Sequence, residues 1–166
     1  MKKLLWTAAL VGMLVAPSVV QAQMTAGPFL AYHDDLEAIG VGGFLGIAIP
    51  QLAPGFAVVP NIAIFFPDDP LSFFEINGDV MYTFPVSETS PVEPFAFAGL
   101  NWARSSIDFG GTTGSVSDSD IGLNLGGGVN FDAGSLSPFA GAKFEIHNNT
   151  GFVIFGGISF ALGGGA

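Results

Sequence analysis

After residue 22 no apolar stretch runs unbroken for the roughly 20 residues that a helix needs to cross a bilayer. Yet 49% of the 166 residues are hydrophobic and only 11% are charged, where soluble domains carry about 25% charge. So much apolar surface excludes a disordered chain. So little charge leaves a water-soluble surface poorly covered. A sheet closed on itself, with its apolar face toward lipid, reconciles the two, because closure satisfies every backbone polar group without a helix.

The first residues read as an export signal. Met1-Lys2-Lys3 is a short basic start, Leu4 to Ala16 is an apolar run of 13 residues, and Pro17-Ser18 breaks it. Val20-Gln21-Ala22 then places small or compact residues where a signal peptidase cuts. The reading is a cleaved signal over 1–22 and a mature domain over 23–166. The run is too short for a membrane anchor, and the absence of cysteine excludes a lipoprotein anchor and disulfides alike. The mature part keeps Arg104 and Lys143 against 14 acids, a formal charge of −12 (2 − 14). Nucleic acid and anionic lipid head groups are therefore poor partners.

Turn-forming clusters recur near 33–37, 50–55, 67–70, 85–91, 108–118, 132–137 and 147–151. They divide the mature chain into eight segments, 25–33, 37–49, 55–66, 71–84, 93–107, 119–131, 137–147 and 151–161. Each is about the length of a tilted membrane strand. Period-two alternation marks them as strands. Phe74, Ile76, Gly78, Val80, Tyr82 and Phe84 oppose Glu75, Asn77, Asp79, Met81 and Thr83. Ile121, Leu123, Leu125, Val129 and Phe131 oppose Gly122, Asn124, Gly126, Gly128 and Asn130. Ile39, Val41, Leu45, Ile47 and Ile49 oppose Gly40, Gly42, Phe44, Gly46 and Ala48. In 94–104 neither face is plainly the outer one. The polar faces are built of small side chains, which suits the narrow interior of an eight-stranded barrel. The bulky faces suit lipid, and Tyr82, Phe84, Phe131 and Phe160 stand at strand ends where aromatic girdles sit. The expected fold is all-β: an eight-stranded antiparallel up-and-down transmembrane barrel after a signal peptide.

The segments Phe74 to Tyr82, Pro94 to Asn101 and Pro138 to Phe144 resemble the small bacterial outer-membrane β-barrel (porin-like) domain family, in which a proline–aromatic start often opens a strand of alternating glycine or alanine. The resemblance implies an outer-membrane location, both termini in the periplasm, short periplasmic turns and longer surface loops. It also implies contact with outer-membrane lipid, lipopolysaccharide and, during insertion, the barrel-assembly machinery. Members of that family usually end on an aromatic residue, whereas here Phe160 is followed by Ala161-Leu162-Gly163-Gly164-Gly165-Ala166.

Five charged residues fall inside segments that cross the membrane: Glu75, Asp79, Arg104, Lys143 and Glu145. Charges there are costly unless they face inward and pair, so an internal polar network is expected. The outward breaks are acidic, with Asp34-Asp35-Leu36-Glu37, Asp68-Asp69 and the stretch from Asp108 to Asp120. Such oxygens suit divalent cations, but the spacing matches no defined calcium loop, and solvated loop charge is the preferred reading. His33 and His147 end the first and seventh strands, next to the eighth, and with Asp34 or Asp35 are the surface metal candidates. Glu145-Ile146-His147-Asn148-Asn149 faintly resembles the His-x-Ser-Asn motif of lipid A deacylase barrels, but lacks the serine nucleophile. Gly126-Gly127-Gly128 lies mid-strand, so it is no phosphate loop. No enzyme activity and no cofactor are expected. The function expected is a structural or surface-interaction barrel with a largely filled lumen. The alternatives are a narrow porin-like channel and a soluble periplasmic lipocalin-like binder.

Overall fold

The computed structural model describes residues 23–87, 89–108, 115–133, 136–147 and 150–162. Residues 1–22, read above as an export signal, and 163–166 lie outside them. Eight strands follow one another: β1 (Met24–His33), β2 (Ala38–Ala48), β3 (Phe56–Phe65), β4 (Leu71–Thr83), β5 (Val92–Asp108), β6 (Ser115–Phe131), β7 (Ser137–Ile146) and β8 (Thr150–Leu162). Each pairs antiparallel with its sequence neighbours, and β1 pairs with β8, so the sheet closes in the order β1 to β8. Closure leaves no sheet edge along the body of the barrel.

Alternation sorts the side chains as the sequence suggested. Leu30, Ile39, Ile64, Ile76, Leu100, Leu123, Phe144 and Ile154 project outward and are exposed. Where the two faces of β5 were ambiguous, Phe95, Phe97 and Asn101 point inward and Leu100 and Trp102 outward. Both faces carry bulky apolar groups, which is why the pattern was blurred. Phe56, Tyr82 and Phe84 form a chain of outward ring contacts at the end of the barrel that holds both termini, with centroids 4.8 and 5.0 Å apart.

Two expectations are corrected. The sixth strand begins at Ser115, not 119. The serine- and aspartate-rich stretch reads as loop by composition, but it pairs with β5 as far as Asp108↔Ser115. β5 and β6 thus run 17 residues each, well beyond the 9–11 that span the hydrocarbon, and their hairpin projects past β7. On that side the β6–β7 pairing reaches only Leu123↔Ile146. The free edge carries exposed Ser117, Asp118, Ser119 and Asp120, side chains that discourage pairing with another chain. Second, the two longest connections are at the terminal end. Residues 49–55, 84–91 and 132–136 join strands there, while 34–37, 66–70, 109–114 and 147–149 join them at the opposite, loop end. Among the described residues, the reach at the loop end comes from the paired β5–β6 hairpin.

Candidate functional site

The lumen has two unlike halves. Toward the loop end it is filled by a hydrogen-bonded polar plug. Lys143 Nζ, on β7, donates to Glu75 Oε1 of β4 at 2.8 Å and meets Glu145 Oε1, two residues along its own strand, at 2.6 Å. All three side chains are almost wholly buried. Glu75 Oε2 accepts from Asn101 Nδ2 of β5 at 2.9 Å. Asn77 Oδ1 accepts from Asn101 Nδ2 and from Asn124 Nδ2 of β6. Asn77 Nδ2 in turn donates to Asn61 Oδ1 of β3 at 2.8 Å. Asp79 closes the set, its two oxygens accepting from Asn124 Nδ2 and Asn61 Nδ2 at 3.0 Å each. Side chains from β3 to β7 are thereby tied across the lumen, and buried carboxylates gain the donors without which burial is prohibitive.

His33 extends the plug toward the loop end. It is buried, lies edge-on to Phe65 and Phe73 at 5.5 and 5.7 Å, and places Nε2 3.4 Å from Glu145 Oε2. His147 Nε2 reaches the same oxygen at 4.0 Å, and its Nδ1 lies 3.5 Å from Asp120 Oδ2. A line of polar groups therefore runs from the exposed Asp120 through His147, Glu145 and Lys143 to Glu75.

Of the five charges expected inside, the structure brings together Glu75, Lys143 and Glu145, with Asp79 joined through asparagines. Arg104 is a correction. It lies on the outward face of β5 in the projecting hairpin, exposed, and donates to Ser117 Oγ at 3.1 Å. Asn101 fixes the inward face of β5, so a residue three positions on must point out. His33 is a second correction, since it is inside the barrel rather than at its surface. Asp34 and Asp35 are exposed. Among the described residues no three histidine or acidic groups converge as a metal site. Asn61, Asn77, Asn101 and Asn124 were not singled out as site residues. Their signal was an amide within a strand on its small-residue face, plain for Asn77 and Asn124.

The half toward the termini is open. It is a cavity of about 560 Å³ walled by Phe29, Phe44, Phe95, Phe97, Phe139 and Phe155. Its mouth carries Gln23, Thr25, Thr83 and Glu93, and its floor is the plug, at Asn61, Glu75, Asp79 and Lys143. The space exists because several of these rings lie against glycines of the neighbouring strand. Phe95 covers Gly128, Phe97 covers Gly126, Phe139 covers Gly157 and Phe155 covers Gly141, each at a spot where a Cβ would collide with the ring. Rings laid against glycine leave room beside them, while Phe44 of β2 meets Phe139 of β7 and Phe97 of β5 meets Phe155 of β8 across the lumen, at 5.3 and 6.0 Å.

No family model and no curated protein sequence matches the chain. Solved structures do match its fold. The N-terminal β-barrel domain of Pseudomonas aeruginosa OprF aligns with a TM-score of 0.66 at 16% identity, over 86% of this chain and 100% of that one. The Neisserial surface protein A aligns with a TM-score of 0.66 at 18% identity, over 85% and 97%. A major outer membrane protein from Thermus thermophilus aligns with a TM-score of 0.63 at 14% identity, over 85% and 99%. The chain has the fold of the eight-stranded outer-membrane β-barrels.

Proposed function

We propose that the protein is an integral outer-membrane barrel of structural or surface-interaction type, closed to ion flow. The observation that carries the closed state is the plug from Lys143 to Asp79, which joins five strands across the lumen. The exposed aliphatic exterior and the aromatic cluster at Phe56, Tyr82 and Phe84 support the membrane location. In this reading the partners are outer-membrane lipid and lipopolysaccharide, with the barrel-assembly machinery acting during insertion. The acidic loop end, at Asp34, Asp35, Asp68, Asp69, Asp118 and Asp120, faces outward. Divalent cations shared with lipopolysaccharide phosphates would screen it there. No catalytic role belongs to the reading, since Asn148 and Asn149 stand after His147 where a serine nucleophile would be needed.

The test has two parts. Envelope fractionation with heat-modifiable gel mobility should find a folded, faster or slower form in the outer membrane. Planar-bilayer recording of that form should give no steady conductance steps. Uniform steps from the purified wild-type barrel would overturn the closed state and favour the narrow channel. Recovery from the soluble periplasm would overturn the membrane location.

A further inference from the structure

We propose that the cavity at the terminal end binds a small monocationic amphiphile, an ammonium group on an aromatic or aliphatic body. An eight-stranded barrel either fills its interior or holds one small ligand. This one does the first in its loop half and leaves room for the second in the other. A volume of about 560 Å³ falls within the range of small-molecule sites.

The lining selects the chemistry. Five of the rings make a continuous aromatic belt, in which Phe44 meets Phe139 at 5.3 Å, Phe139 meets Phe155 at 6.3 Å, Phe155 meets Phe97 at 6.0 Å and Phe97 meets Phe95 at 6.3 Å. Ring faces attract apolar bodies and cations alike. Beneath the belt three carboxyl groups, Glu75, Asp79 and Glu145, share one ammonium, that of Lys143. Lys143 spends its contacts on Glu75 and Glu145. Asp79 lines the cavity and makes no ion pair among the described residues. Each of its oxygens accepts one amide hydrogen bond, and a carboxylate oxygen can accept two. Asp79 is therefore the group that would receive a ligand's ammonium, and Glu93 adds a further acid at the mouth. An anionic ligand would meet carboxyl groups at both ends. Because the plug closes the inner end, entry and exit use the single mouth beside the termini.

The test uses the folded barrel in zwitterionic lipid nanodiscs and three naphthalene probes of similar size: (2-naphthylmethyl)ammonium, 2-naphthylacetate and 2-ethylnaphthalene. Methyl NMR signals of Met81 and Val153, which line the cavity, separate binding there from partition into lipid. The cation should saturate these shifts with a Kd at least tenfold below that of either other probe. Asp79→Asn should weaken it at least fivefold. Ala57→Phe, which fills the cavity away from the plug, should abolish the shifts for every probe. Equal affinities for the three probes, tighter binding of the carboxylate, the absence of saturable shifts, or shifts that survive Ala57→Phe would each overturn the proposal. Should Asp79→Asn fail to fold, the three-probe comparison on the wild type and the Ala57→Phe control still decide it.

Discussion

Replacing Lys143 with methionine removes the single ammonium of the plug while keeping most of the side-chain volume. Two carboxyl groups lose their shortest contacts, Glu75 at 2.8 Å and Glu145 at 2.6 Å, and both are about 2% exposed or less. Neither can turn to bulk water. Glu75 retains the Asn101 amide and its contact with Glu145, and Glu145 retains His33 at 3.4 Å and His147 at 4.0 Å. Breaking a buried ion pair from one side costs about 3–5 kcal/mol, since it strands the partner charge. Guanidinium unfolding of the barrel in detergent, followed by tryptophan fluorescence, should show a loss of that order. Methionine at 143 together with Glu75→Gln should recover part of it, because the stranded carboxyl is then gone. Such coupling between neighbours falls in the range of about 0.5–3 kcal/mol. If the single variant unfolds within about 0.5 kcal/mol of wild type, Lys143 is not paired inside the barrel and the plug is wrong as drawn.

Arg104→Ala should leave the same unfolding curve within about 0.5 kcal/mol, because Arg104 is exposed and its hydrogen bond among the described residues is to Ser117. Leu123→Arg, on the outward belt, should cost about 2–4 kcal/mol if that belt meets hydrocarbon near the midplane, measured as folding into lipid vesicles; an unchanged value would place water there instead. Gly157→Val should shrink the cavity and slow folding, because a Cβ there meets the Pro28 carbonyl and the Phe139 ring, and the gel-shifted folded fraction should fall. A combined Glu75→Ala and Lys143→Ala variant should open the plug and give conductance steps that the wild type lacks.

Much of this architecture follows from period-two alternation read one strand at a time. The faces of β2, β4 and β6 were legible because all of their asparagines and acids and most of their glycines sat on one side, with Gly43, Gly78 and Gly127 on the other. In β5 they were not, since Phe95 and Phe97 look inward while Leu100 and Trp102 look outward. Arg104 was misplaced for the same reason. Counting from an asparagine known to face inward would have turned it outward. The open half of the lumen could not be read at all. It depends on which glycine stands beside which ring, as with Phe97 on Gly126, and that is a matter of register between strands rather than of either strand alone. The length of β6 was hidden by composition, because residues 115–120 look like loop until their pairing with β5 is known.

The division of the lumen follows from where side-chain size and polarity fall along each strand. In β4 the inward positions run Phe73, Glu75, Asn77, Asp79 and then Met81, so the polar groups are confined to the middle. Across the barrel Asn61, Asn101, Asn124 and Lys143 stand at matching levels, through the pairs Asn61↔Asn77, Asn77↔Asn101 and Asn124↔Glu145. A polar layer so placed must meet most of its groups, because each unmet buried carboxyl or amide costs more than an apolar replacement would; Asn101 Oδ1 and Asn124 Oδ1 are left without a hydrogen-bond partner. The layer below carries no such demand. Rings resting on glycine pack along the wall and touch across the lumen in pairs, Phe44 with Phe139 and Phe97 with Phe155, and the hydrocarbon outside supplies the other half of the wall's burial. A soluble barrel of the same size has no such outer support. A membrane barrel can therefore keep a plug and a cavity in one lumen, with the plug holding the cavity's floor and its charge in place.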